Sequence, residues 1–188
     1  MDASELARRI AALPAAADRQ ESTRLAAVAL VLRAGAAEVL LMRRIERADD
    51  RWSGQIGLPG GHHDAGDADL VATAMREAQE EVGLDLAREA ELVGVLPAVQ
   101  AKARGFLLPM WITPVVFVAR GELAPVPGPE AAEAFWFPLA RARRGELAAT
   151  HTYRRGEEQR VLPAWDCGGR VVWGLTYEIL AGFLRVLD

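Results

Sequence analysis

The sequence predicts one mixed α/β domain built around a central loop, strand and helix element, and three observations carry that expectation. Apolar runs of strand length recur between stretches with helical periodicity. A segment rich in glycine and acid, GQIGLPGGHHDAGDAD (54–69), leads directly into one of those helical stretches. Of the 188 residues 51% are apolar, and no internal repeat or low-complexity linker divides them, which suits a single unit over 1–188 with one substantial core.

In chain order, residues 1–20 form an N-terminal extension in which Leu6, Ile10 and Leu13 recur at helical spacing before Pro14, predicting a packed cap or a dimer arm. LAAVALVLR (25–33) and EVLLMRR (38–44) are separated only by AGAA and predict two strands joined by a short turn. A polar loop from Ile45 to Ser53 leads to the glycine-rich segment, expected to be a functional loop or a helix entry. The helix beyond it should start near Asp67 or Asp69, either of which can cap it, and end at Gly83 in a left-handed conformation. Its buried stripe is expected at Val71, Met75, Ala78 and Val82. ELVGVLPAV (91–99) and LPMWITPVVFVAR (108–120) predict strands, with Pro109 and Pro114 placing the second at an irregular or edge position. AEAFWFPLARARRGEL (132–147) predicts a strand running into a short helix. VVWGLTYEILAGFLRVL (171–187), with Leu175, Ile179, Leu180, Phe183 and Leu187, predicts a closing amphipathic helix.

A net charge of −4 gives no electrostatic drive toward nucleic acid or an anionic membrane surface. No run of about eighteen apolar residues suggests a membrane span, and MDASELARRIAALP lacks the apolar core of a secretory signal. The single cysteine, Cys167, excludes an internal disulfide, fits a reducing compartment and is expected to be a small packed residue. The expectation is a soluble, cytoplasmic protein.

The stretch AMREAQEEVGL (74–84) sets Glu77, Glu80 and Glu81 on one helical face, turned back toward the glycine-rich segment. Like charges three and four residues apart repel, and the i+4 positions, Glu81, Leu84 and Asp85, offer no cation. Alone, such a cluster is usually a solvated face. Beside a glycine loop it acquires another meaning, because hard cations such as Mg²⁺ or Mn²⁺ take oxygen ligands, keep several waters and are completed by substrate phosphates. Such a metal polarises a phosphoryl oxygen and lowers the pKa of a bound water, so carboxylates plus metal suit hydrolysis of phosphate esters. The glycines of LPGG let backbone carbonyls approach the cation, and Arg76 can brace the glutamates through its planar fork.

With these residues in view, GGHHDAGDADLVATAMREAQEEVGL (60–84) resembles the signature box of the Nudix hydrolase family. The second half of that box, Arg-Glu-apolar-x-Glu-Glu-x-Gly-apolar, is matched at Arg76, Glu77, Ala78, Glu80, Glu81, Gly83 and Leu84. The first half departs. Gly61 to Arg76 holds one residue more than the family spacing, and Ala68 stands where the first glutamate is usual, leaving Asp67 or Asp69 to take that role. The resemblance implies an α/β/α sandwich with a mixed β-sheet and a catalytic loop-helix-loop, hydrolysing a nucleoside diphosphate linked to another moiety. It further implies Glu77, Glu80 and Glu81 as ligands of Mg²⁺ or Mn²⁺, with the backbone carbonyl of Gly60 as another ligand. The segment LLMRRIERADDRWSGQIGLPGG is similar to the one preceding the box in coenzyme A pyrophosphatases, matching at Arg44, Gly54, Gln55, Pro59, Gly60 and Gly61, while Trp52 and Leu58 depart from it. ARGFLLPMWITPVVFVA, EAAEAFWFPL and VVWGLTYEIL extend that similarity toward the C-terminus.

The resemblance thus implies cleavage of coenzyme A or acyl-coenzyme A to 3′,5′-ADP and 4′-phosphopantetheine or its acyl form. ADP-ribose, NADH or a nucleoside triphosphate are the alternative substrates, and a non-catalytic nucleotide-sensing domain is a rival that the intact REAQEE set disfavours. Glu77, Glu80 and Glu130 are the candidates for the base that activates water, with Glu133 in the same region. Arg44 and Gln55 are candidates to hold the diphosphate. Lys102 and Arg104 either meet a further phosphate or are solvated loop charges. Phe106, Trp52 and Trp111 either stack on substrate or join the core. His62 and His63 fit loop contacts to substrate better than a transition-metal site, which needs three or four convergent ligands. The apolar terminal helices are compatible with a homodimer.

Overall fold

The computed structural model describes residues 2–14, 24–33, 38–47, 53–103, 106–155 and 158–188; Trp52 and Arg104 fall outside these, as does the side chain of Phe106. Along the chain run α1 (Ala3–Ala11), β1 (Arg24–Leu32), β2 (Val39–Arg44), β3 (Ile56–Gly57), β4 (Gly60–His62), α2 (Leu70–Val82) and α3 (Leu86–Glu89). They are followed by β5 (Ala90–Val95), β6 (Val99–Ala103), β7 (Phe106–Ala119), β8 (Ala131–Phe137), α4 (Leu139–Arg143), β9 (Ala148–Arg155), β10 (Glu158–Cys167), β11 (Arg170–Trp173) and α5 (Gly174–Leu187).

The alternation within β1 decides the layering. Ala27, Ala29 and Val31 face one side, together with Leu40 and Met42 of β2, and meet Ala74, Ala78 and Val82 of α2. Ala26, Leu30 and Leu32 face the other side with Leu41, and meet Leu6 and Ile10 of α1 and Ile179, Leu180 and Phe183 of α5. A sheet apolar on both faces must be covered on both, which gives the α/β/α sandwich. The main sheet runs β3-β2-β1-β7-β5, with β4 also on β1, β6 on β7 and β8 on β2. It is mixed, since β1 pairs parallel with β7 while the neighbouring pairs are antiparallel. The α1 helix is a packed cap: Ile10 sits against Gly94 of β5, and Arg9 donates to the Val186 carbonyl of α5 at 3.1 Å.

Several sequence expectations need correction. Gly60–His62 is a strand rather than a loop, since it pairs with Ala26–Val28 of β1. The α2 stripe runs through Ala74, Ala78 and Val82, while Val71 and Met75 are only partly buried, because small alanines let the helix close on the alanines of β1. Of the two alternatives for Pro114 the irregular position holds and the edge does not, because β7 is a central strand whose partner changes from β6 to β5 there. In a strand the N–H and C=O of one residue point the same way, and the Pro114 carbonyl accepts from Leu96 N–H at 2.9 Å, in the gap where β6 has ended and β5 has yet to begin. The missing proline donor therefore breaks no ladder. Val171–Trp173 belong to β11, and helix α5 starts only at Gly174.

The three-stranded sheet β11-β10-β9 is an addition that hydrophobic periodicity did not announce, since HTYRRGEEQR carries little apolar alternation. Its one legible signal is the Asp166-Cys167-Gly168-Gly169 turn, where both glycines take positive φ and Asp166 accepts from Gly169 N–H at 2.7 Å. Glu133 joins this sheet to the main one. It lies on β8, and it accepts from Arg170 of β11 on one side and pairs with Arg43 at 3.5 Å on the other. Arg170 holds its carboxyl below the usual range. Among the described residues no helix is long and apolar enough to cross a membrane.

Candidate functional site

Helix α2 is anchored at both ends. Asp69 caps it by accepting from Ala72 N–H, and Gly83 ends it at φ 69°. Its last carbonyls are taken by the loop between β7 and β8, with Val82 accepting from Val126 N–H and Glu81 from Gly128 N–H. A helix so held presents Arg76, Glu77 and Glu81 to the Gly60–His62 strand.

The two candidate aspartates divide their work. While Asp69 caps, Asp67 clamps Arg76 in a bidentate pair at 2.9 and 3.0 Å and also accepts from Thr73 Oγ1 and Asp64 N–H. Arg76, followed by those donors, holds the Asp67 carboxyl far below the usual range, and Asp67 in turn raises the Arg76 pKa. From this clamp Arg76 Nη1 reaches Glu77 at 2.8 Å and Glu80 at 3.2 Å, and Nη2 reaches the His62 carbonyl at 3.0 Å. Replacing Asp67 by Ala is expected to cost about 2 kcal/mol in chemical denaturation. A depressed carboxyl contributes stability above its ordinary pKa of 3.8 and loses it as pH falls below that value, so the deficit should shrink in acid.

Glu81 is the buried member of the cluster, 2% exposed. It accepts from Gly60 N–H at 2.8 Å and from Arg44 at 3.2 Å, yet burial dominates and pushes its pKa up to about 7. Glu77 lies over Gly61, where a Cβ would come within 2.5 Å of its Oε1, and burial raises its pKa also. Glu80 stands apart, with its side chain 58% exposed. The expected trio is therefore not gathered: among the described residues no three His, Cys, Asp or Glu side chains enclose a metal site as they stand. Arg76 holds Glu77 and Glu80, and Gly60 N–H with Arg44 holds Glu81. Glu130 enters from the turn before β8, pairing with Arg47 at 3.0 Å and Arg44 at 3.7 Å.

Their neighbours Arg44, Gly60, Gly61 and His62, with Gln55, line a cleft of about 640 Å³. A smaller hollow of 340 Å³ between α4 and the end of α5 is remote from the carboxylates. Lys102 lines the cleft but is paired with Glu178 of α5 at 3.0 Å. Trp111 lies on β7 outside the cleft lining, and His63 is engaged with Thr73 Oγ1 at 2.9 Å. Arg104 lies outside the described residues, and Phe106 is placed only as the first residue of β7. What the sequence reading missed is a further part of the lining: Tyr153, Arg160, Leu162, Trp173 and Thr176, contributed by β9–β11 and the start of α5.

The NUDIX domain family model matches residues 23–156. The chain belongs to the Nudix family. A Nudix hydrolase of Citrobacter koseri named NudL, described as uncharacterised, is 38% identical over 159 residues, covering 84% of this chain and 77% of its own. The NudL of Salmonella paratyphi B is 39% identical over 132 residues, covering 69% of this chain and 65% of its own. Among solved structures, a MutT/nudix family protein from Enterococcus faecalis superposes with a TM-score of 0.53 at 19% identity, over 91% of this chain and 64% of that one. A C. elegans Ap4A hydrolase does so with 0.52 at 20% identity, over 64% of this chain and 84% of that one. Those two likenesses speak for the Nudix fold alone. The Nudix hydrolase assignment rests on the domain match and the NudL relatives.

Proposed function

We propose that this Nudix hydrolase is a metal-dependent pyrophosphatase acting on a nucleoside diphosphate linked to another moiety, with coenzyme A or acyl-coenzyme A as substrate. The observation that carries the reading is the closure of Glu77 and Glu81 over the Gly60–Gly61 strand, whose glycines line a cleft of about 640 Å³. The donor set fits Mg²⁺ or Mn²⁺: Glu77, Glu80, Glu81 and the Gly60 carbonyl are hard oxygen ligands, and a cation beside Glu81 offsets the burial that raises its pKa. Once bound, such an ion supplies charge neutralisation on the diphosphate and a water of lowered pKa.

The chain's own groups do the rest. Arg76, fixed by Asp67, sets the approach of Glu77 and Glu80. Arg44 and Gln55 bind diphosphate oxygens from the strand side, Arg44 turning from Glu81 toward the anion. One carboxylate of Glu77, Glu80 and Glu130 takes the proton from the attacking water. Attack on one phosphorus breaks the P–O–P bridge, the leaving phosphate keeps the bonding pair, and two phosphate-terminated products form. The sequence before the box supports coenzyme A, which would yield 3′,5′-ADP and 4′-phosphopantetheine.

The test is product release from coenzyme A, acyl-coenzyme A, ADP-ribose, NADH and nucleoside triphosphates with Mg²⁺ or Mn²⁺, for native protein and Glu77→Gln. Preferred cleavage of the coenzyme A compounds, lost on substitution, is the expected result. Preference for another diphosphate would replace the substrate and keep the chemistry. Metal-dependent nucleotide binding with no turnover would favour a sensing domain.

A further inference from the structure

The part of the cleft lined by β9–β11 carries a chemistry of its own. Tyr153 pairs with Arg160 and His151 with Leu162 across β9 and β10, while Trp173 pairs with Ala164 across β10 and β11. Directly paired residues share a face, and alternate residues of β10 share it too, so Tyr153, His151, Arg160, Leu162 and Trp173 all emerge on one side of the sheet. All but His151 line the cleft. His151 instead stacks on Trp173, with ring centroids 4.0 Å apart at 18°, while Tyr153 lies 5.9 Å from the same ring. Backed on one face, the tryptophan is a fixed plate rather than a mobile side chain. Burial lowers the His151 pKa, so the backing ring favours its neutral form. Arg160, paired with Tyr153 across β9 and β10, lines the same cleft.

We propose that β9–β11 is the nucleotide-selecting wall, Trp173 and Tyr153 taking the adenine ring and Arg160 the phosphate on its ribose, which deepens and rests on the diphosphate reading above. Flat aromatic surface with an adjacent guanidinium suits a base and a phosphate, whereas the floor of Ala26, Val28, Leu58, Met110 and Ile179 suits the less polar half of the substrate. The wall thus selects an adenine nucleotide bearing a second phosphate, and it holds the nucleotide end away from the carboxylates so that the diphosphate falls beside Gly60 and Gly61.

Calorimetric titration of the full chain with AMP and with adenosine 3′,5′-bisphosphate, in Mg²⁺, tests this without turnover. Trp173→Leu should weaken both nucleotides by roughly tenfold or more, and Trp173→Phe should recover most of that loss. Arg160→Gln should weaken the bisphosphate by about tenfold while changing AMP by no more than about twofold. Native-like binding of both nucleotides by Arg160→Gln and Trp173→Leu, or no binding by the native protein, would overturn the proposal. Should Trp173→Leu fail to fold, Arg160→Gln decides, since Arg160 is exposed on its strand. The expected binding pattern in a protein that cleaves no diphosphate would discard the hydrolytic reading and keep the wall. Cleavage of adenine-bearing diphosphates with binding untouched by the substitutions would do the reverse.

Discussion

Replacing Glu81 by Gln is expected to reduce metal-dependent hydrolysis roughly a thousandfold, about 4 kcal/mol of transition-state stabilisation, and to make the metal-free protein more stable. The two effects have one cause. Glu81 is almost fully buried, and its burial raises the pKa from an ordinary 4.5 to about 7. A carboxyl whose folded pKa is raised stabilises the fold fully below its unfolded value, and that contribution is lost as pH rises to the folded value. The metal-free native protein should therefore lose about 3 kcal/mol between pH 4.5 and 7 on this account. Glutamine keeps an oxygen for Gly60 N–H and carries no charge, so Glu81→Gln should melt higher at neutral pH, by roughly 3–10 °C for about 1–3 kcal/mol. Thermal melts with and without Mg²⁺ at several pH values check both halves. A variant that melts below native without metal, or that gains as much from Mg²⁺ as native does, would show that Glu81 is not a desolvated carboxylate awaiting a cation.

Gly60→Ala should be the most damaging single change to the fold near the site, costing roughly 3–5 kcal/mol. A Cβ there would lie 2.3 Å from the Ala27 carbonyl oxygen and 2.6 Å from Val28 Cα, and the backbone takes φ +156°. Both obstructing atoms are backbone of β1, which is itself locked to β7 across its whole length from Arg24 to Leu32. Relief must come from β4, which would move Gly60 N–H off Glu81. Gly61→Ala makes a useful contrast, because the nearest atoms to its Cβ are those of the Glu77 carboxylate, a side-chain end that can swing aside. Urea denaturation should place Gly61→Ala well above Gly60→Ala in stability, while both lose turnover. Equal stability of the two variants would contradict the close approach of β4 to β1.

How far the sequence could be read depended on whether the signal was local. Helix α2 was legible because its cap, its glycine terminator and its glutamates all lie within one short stretch. The first strand pair was legible because its apolar runs are adjacent in sequence. The central place of β7 was not, since a proline argues for an edge until one sees that its missing donor faces the gap between β6 and β5. Nor was the second sheet, whose polar strands are held by turn glycines and the Glu133–Arg170 clasp rather than by periodicity.

The family, the mixed α/β class and the acids of the box are legible in the chain itself, because a box of fixed spacing is a property of one continuous segment. What each acid does depends on how the chain folds around it. Asp67 rather than Asp69 clamps Arg76, Glu81 rather than Glu80 is desolvated, and Glu133 is spent on joining two sheets. The fold also brings Tyr153, Arg160 and Trp173, far along the chain, to the same cleft as Gly60. Burial and long-range pairing set charge, pKa and reach, and none of these is encoded in the spacing of neighbouring residues.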